Sequence, residues 1–194
     1  YTLTGAFAFS GLFAYVAGSP LVFMEVFGVN DKEYGWIFAG LSVGFIGSSQ
    51  VNTLLLKRFS SEQIVKVSLP AQAAVGILFL IGSVLGILGF WGTIVMIFLF
   101  LSCLGITNPN AAALTLAPFS KNAGTASSLF GALQLGIGAL ISTSVSLFDS
   151  LSAVPLAAVM CITAVIAYVI FLISTRINRG KFTGVTGDAV VIGH

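Results

Sequence analysis

The sequence predicts an all-α membrane protein in which six transmembrane helices form two inverted three-helix repeats. Three observations predict it. First, 57% of the 194 residues are hydrophobic and 7% are charged; soluble domains carry about a quarter charged residues, so this chain could not cover itself in water. Second, the apolar residues fall in runs of roughly 20 or more, enough to cross a hydrocarbon core of about 30 Å. Third, lysines and arginines gather on alternate connections, the bias expected of a multi-pass protein. The 22 glycines follow no G-x-y period and suit close-packed membrane helices.

The helices are expected over 4–27, 34–56, 67–88, 93–116, 124–147 and 154–175. Residues 1–179 make the bundle, and 180–194 read as a disordered cytoplasmic tail. The chain starts at Tyr1 with no charged n-region or cleavage site, so a signal peptide is not expected and further sequence upstream is. The first helix carries Gly18-Ser19-Pro20 in its second half, and a turn with Gly28, Asp31, Lys32 and Glu33 follows. The second helix has Gly40, Gly44 and Ser48 at four-residue spacing, then Gln50 and Asn52, which should satisfy the loop backbone or a neighbouring helix. The third has Gly82 and Gly86, and Gly89-Phe90-Trp91-Gly92 leads to the fourth, with Trp91 suited to a membrane interface. The fourth carries Asn108-Pro109-Asn110, and its turn into the fifth, 118–123, holds Lys121. The fifth pairs Gly124 with Ser128, Ser127 with Gly131 and Gln134 with Gly138. These spacings fit static packing, with a sliding seam as the functional alternative. The sixth is bulkier (Val165, Ile166, Val169, Ile170, Phe171) and is expected to face lipid.

Sidedness follows from charge. Lys57, Arg58 and Lys66, then Lys121, then Arg176, Arg179 and Lys181 lie on one side, which the positive-inside rule makes cytoplasmic, with both chain ends. Each triplet opens with a proline-containing helix, Pro20 in the first and Pro109 in the fourth. Inverted repeats place helix breaks this way, with a solute site between them.

Polar residues inside apolar runs are the site candidates, because hydrocarbon offers them no partner. Asn108 and Asn110 are foremost; they line a wet cavity, cap the backbone freed by Pro109, or both. Gln134 shares a small polar stripe with Ser127, Gly131 and Gly138. Tyr15 and Ser19 are placed to meet a drug-sized solute, the alternative for Tyr15 being core packing. Glu25 is the acid inside a span and a gating or proton candidate; its place near the outer end favours a hydrated gate-side group. Lys57 and Arg58, with Lys121, are cytoplasmic-side charges suited to an inner gate or to topology alone.

Other classes find little support. A net charge of +2 implies no nucleic-acid partner. Cys103 and Cys161 have neither metal nor disulfide spacing, and with His194 the one histidine, no metal cluster or cofactor is expected. No Ser/His pair, HExxH motif or paired intramembrane acids suggest an enzyme. Asn-Pro-Asn suits a water-channel half-helix, but Ser19-Pro20 is no second copy.

Three stretches, GSPLVFMEVFGV at 18–29, GSSQVN at 47–52 and the run from Pro109 to Ser142, resemble the major facilitator superfamily. The likeness is to the C-terminal half of its Bcr/CflA, bicyclomycin-resistance-type, multidrug efflux transporters. The resemblance implies the last six of twelve helices, with the first helix of each triplet lining a central cavity. It implies a drug-like substrate, protons as the exchanged ion, an N-terminal six-helix half as partner and the bacterial inner membrane as location. LLLKRFSSEQIVK at 54–66 keeps only a worn form of the family's loop signature, and the coupling acids belong to the other half. The alternatives are a metabolite facilitator on the same fold and a six-helix channel acting alone.

Overall fold

Helix ends are set by local chemistry that the apolar pattern does not reveal. Asn30 Oδ1 accepts from the Glu33 N–H at 2.9 Å, and Glu33 Oε2 accepts in return from the Asn30 N–H. Ser60 and Gln63 close the same reciprocal box. Each box satisfies two otherwise orphaned donors. The helices therefore start at Asp31 and Ser61, ahead of the apolar starts at 34 and 67.

The structure, a computed structural model, describes residues 1–146 and 152–182. Its elements are α1 (Thr2–Pro20), α2 (Asp31–Leu55), α3 (Ser61–Val84), α4 (Phe90–Leu116), α5 (Ala123–Ser146) and α6 (Val154–Phe182). A π-helical turn, Leu21–Val26, extends α1, and a 3-10 turn, Ala117–Asn122, joins α4 to α5. The wider turn directly follows Pro20, which lacks the N–H needed to keep the α-helical ladder. Helix α6 continues to Phe182, beyond 175 and into the predicted tail; residues 147–151 and 183–194 lie outside the described residues.

Five of the helices, α1, α3, α4, α5 and α6, are long and apolar enough to cross a membrane. The sixth, α2, has 25 residues, roughly 37 Å of helix. Its glycines, serines, Gln50 and Asn52 lower its apolar content, so the expectation of six clear spans is met by five.

The packing pattern crosses the two triplets. Helix α1 packs on α5 and α6, and α4 packs on α2 and α3; α1 also meets α4, and α3 meets α6. Glycines mark where backbones approach and fix directions. A methyl group added at Gly5 would meet Ala111 and Phe130, at Gly18 Val145 and Leu156, and at Gly138 the Phe13 ring. Helices α1 and α5 therefore run parallel, and α1 runs antiparallel to α6. Gly44 lies against Phe98, Gly105 against Phe45 and Ser48, and Asn52 against Asn110, so α2 and α4 are also parallel. Gly40, Gly124 and Gly131 face open space, and Gly86 takes a left-handed φ of 67° past the end of α3. Of the predicted small-residue seams, Gly44, Ser48 and Gly138 thus meet a neighbouring helix, and Gly82 meets Leu88.

The core is made of Phe100, Leu101, Leu104, Phe79, Leu69 and Met160, with an aromatic cluster at one end. There Phe23, Phe27, Tyr34, Phe38 and Phe90 touch edge to face or tilted. Helix α6 is half lipid-facing: Ile166 and Val169 are exposed, but Phe171 is buried beside Tyr1 because α6 lies in the groove between α1 and α3.

Gly105→Ala should destabilise the bundle by on the order of 1–3 kcal/mol, because the new methyl meets a carbonyl that cannot yield. Gly136→Ala, with open space around it, should be neutral or slightly stabilising. Thermal unfolding of the two variants in one detergent checks the difference.

Candidate functional site

Pro109 lies inside α4, two turns before its end. The two amides beside it point to different places. A helix turns about 100° per residue, so positions 108 and 110 lie roughly 200° apart.

Asn110 is buried and faces α2. Its Nδ2 donates to the Ile106 carbonyl at 2.8 Å and to Asn52 Oδ1 at 2.6 Å. The first bond is to the carbonyl next to that of Gly105, which Pro109 frees, and the second links α4 to α2 rather than lining a cavity. Its Oδ1 is buried and receives no hydrogen bond among the described residues.

Asn108 faces α5 and is half-buried. Its Oδ1 accepts from Gln134 Nε2 at 2.8 Å. Asn108 Nδ2 and Gln134 Oε1 make no protein hydrogen bond among the described residues, so the pair keeps one donor and one acceptor free. Asn108 lies about 12 Å along α4 from Leu116, and Gln134 about 16 Å along α5 from Ala123. Half of a 30 Å hydrocarbon core is about 15 Å, so a bilayer that ended with these helix ends would have its midplane near the pair.

Tyr15 and Ser19 lie elsewhere and are buried. The Tyr15 ring stacks on Phe38 with centroids 5.5 Å apart, and Ser19 Oγ is 2.9 Å from Tyr34 Oη. They hold α1 to α2 near the aromatic end. Glu25 is exposed on the π-helical turn at that same end. Lys57 and Arg58 are exposed on the α2–α3 connection at the opposite end. Lys121 has its backbone in the 3-10 turn, and its side chain lies outside the described residues.

Three further polar contacts escaped the sequence analysis as pairs. Thr107 Oγ1 donates to Ser68 Oγ at 2.9 Å, Gln72 Nε2 donates to the Ala8 carbonyl at 3.1 Å, and Asn52 meets Asn110. The signal was available for Ser68 and Gln72, which sit four apart on one stripe of an apolar helix. The partners were not, since they come from other helices. Among the described residues no group of acidic, histidine or cysteine side chains could hold a metal.

Apolar spans and polar contacts made helix to helix define a multi-pass helical membrane protein. Over 178 residues the chain is 27% identical to a bicyclomycin resistance protein homolog from Haemophilus influenzae, covering 92% of this chain and 44% of that relative. It is also 27% identical over 186 residues to an uncharacterised MFS-type transporter from Bacillus subtilis, covering 93% of this chain and 44% of the relative. No protein-family model and no solved structure matches. The chain is thus similar to a protein named for bicyclomycin resistance and to one named as an MFS-type transporter, and neither name describes an enzyme. The chain spans less than half the length of each.

Asn52→Leu should destabilise the protein by leaving Asn110 Nδ2 with one partner fewer in an apolar setting. Membrane interhelical hydrogen bonds couple by about 0.6 kcal/mol on average, with a ceiling near 2. A double-mutant cycle with Asn110→Leu, read by thermal unfolding, should return a coupling in that range.

Proposed function

We propose that this chain is the C-terminal half of a drug-exporting transporter that works by alternating access. The observation that carries the reading is the Asn108–Gln134 pair. It is uncharged, half-buried and near the midplane of a bilayer bounded by the helix ends, and it keeps a free donor and a free acceptor. Such a pair in hydrocarbon needs a polar partner, and a neutral, drug-like solute supplies one. No lysine or arginine accompanies it, which disfavours strongly anionic substrates.

The crossed packing supports the inverted-repeat architecture. Exchanging α1 with α4, α2 with α5 and α3 with α6 turns every principal contact into another: α1·α5 into α4·α2, α1·α6 into α4·α3, and α3·α6 and α1·α4 into themselves. The parallel direction of both α1·α5 and α2·α4 obeys the same exchange. Prolines support it less, since Pro70 also lies inside α3. In such folds the solute site lies between repeats and the halves rock about it. The connection carrying Lys57 and Arg58 is then cytoplasmic in a bacterial inner membrane. Proton exchange is the coupling that the family likeness suggests, with Glu25 an outer-gate acid and the coupling groups in the N-terminal half. Tyr15, Ser19 and Asn110 support the site from behind in this reading, by fixing α1 and α4.

In pump-deficient bacteria expressing the full-length parent, a fluorescent drug should accumulate less than in empty cells, and a protonophore should restore accumulation. Gln134→Leu should cut efflux several-fold at matched expression, and Asn108→Leu by a similar factor. The double variant should be little worse than either, because the two share one bond. Wild-type efflux in Gln134→Leu would remove the pair from the site. Uptake of a labelled metabolite, with no drug efflux across a broad panel, would replace the exporter by a facilitator.

A further inference from the structure

A cleft of about 550 Å³ opens between the end of α2, the first half of α3 and the facing side of α4. Leu55, Phe59, Ile64, Val67, Ala71 and Ile106 wall it. Two of its polar members are already engaged: Gln63 closes the α3 cap and Ser68 accepts from Thr107. An occupant therefore meets an almost wholly apolar interior.

The cleft is separate from the amide pair. Ile106 and Asn108 lie roughly 200° apart around α4, so one faces the cleft and the other faces α5.

Its surroundings say what would enter. Val67 is 71% exposed, and Ala74, Ile77, Leu78 and Ile81 continue an exposed apolar face along α3. No charged residue occurs from Val67 to Val84. This face is suited to lipid, and the cleft is a recess in it. Lys57 and Arg58, both exposed, lie in the chain between two wall residues of the recess, Leu55 and Phe59. Among the described residues neither has a carboxylate within ion-pair distance, whereas nearby Lys66 is paired with Glu62 at 2.8 Å. Two unpaired cations bordering an apolar recess match an amphiphile with an anionic head and an alkyl tail. A soluble anion would leave the recess unfilled, and a lipid with no net charge would leave the cations uncompensated.

We propose that this cleft holds one acyl chain of an anionic phospholipid of the surrounding bilayer, with the phosphate against Lys57 and Arg58 and the tail along α3. The lipid braces the α2–α3 connection at headgroup level.

The test is native mass spectrometry of the purified full-length protein, released from micelles containing equal phosphatidylglycerol and phosphatidylethanolamine. Wild type should retain phosphatidylglycerol several-fold over phosphatidylethanolamine. K57Q/R58Q, at exposed positions outside the apolar core, should bring that ratio close to one. Ala71→Phe, which fills the recess, should lower retention of both lipids, and unfolding in the same detergent reports whether it still folds. Equal retention by wild type, or an unchanged ratio in K57Q/R58Q, overturns the proposal whatever Ala71→Phe does. So does Ala71→Phe that folds, retains lipid as wild type does and loses dye efflux, which would make the recess a solute path.

Discussion

A polar group that leaves water for hydrocarbon must find its partner inside the protein. That constraint accounts for most of the specific contacts in this bundle. Gln72 reaches a carbonyl of α1, Thr107 reaches Ser68, and Asn110 reaches Asn52. Each contact joins residues of two different helices, so each also fixes a register. The glycines do the complementary work. Where Gly105 crosses α2 the backbones come so close that no side chain fits between them. Close approach brings short polar side chains such as Asn52 and Asn110 within reach.

The same constraint separates the two amides beside Pro109. Asn110 points into a helix interface and is consumed by structure. Asn108 points to a less crowded side and meets Gln134, another amide from an apolar run. A pair that keeps a donor and an acceptor available is only partly satisfied. Being partly satisfied is costly in a static core and useful in a binding site. Asn110 Oδ1 also lacks a partner but is buried, so accessibility, rather than residue type, is what marks one asparagine as a site candidate and the other as a brace.

Much of the fold was legible in the sequence because hydrocarbon imposes a coarse rule on composition. Long apolar runs gave the helices. The rule failed where local hydrogen bonding takes over. The starts of α2 and α3 belong to Asn30-Glu33 and Ser60-Gln63, and N-x-x-E and S-x-x-Q before an apolar run would have found them. The weaker apolar character of α2 was visible in its serines and amides but was outweighed by its length. For the site, the sequence could list Tyr15, Ser19, Asn108, Asn110 and Gln134 as polar residues in expensive places. It could not say that Tyr15 and Ser19 meet α2, or that Asn108 and not Asn110 meets Gln134. Those facts depend on rotations between helices, and a hydrophobic pattern fixes rotation only to the width of a stripe.

Helices α2 and α5 occupy matching places in the crossed pattern, and both are poorly covered. Helix α2 buries only Leu41, Gly44 and Asn52, and α5 is the least buried of the five apolar spans. Both present glycines to open space, Gly40 and Gly47 on one and Gly124, Gly131 and Gly136 on the other. Bare glycine is a poor lipid-facing residue but a good surface for another helix. An apolar stripe like that of α3 is complete when lipid covers it. The faces of α2 and α5, with backbone close to the surface and Gln50 exposed, are better completed by protein. The chain also spans only 44% of each relative. In the function proposed above, a second helical body would lie against α2 and α5. The half-buried Asn108–Gln134 pair would then lie at the edge of the space enclosed between the two.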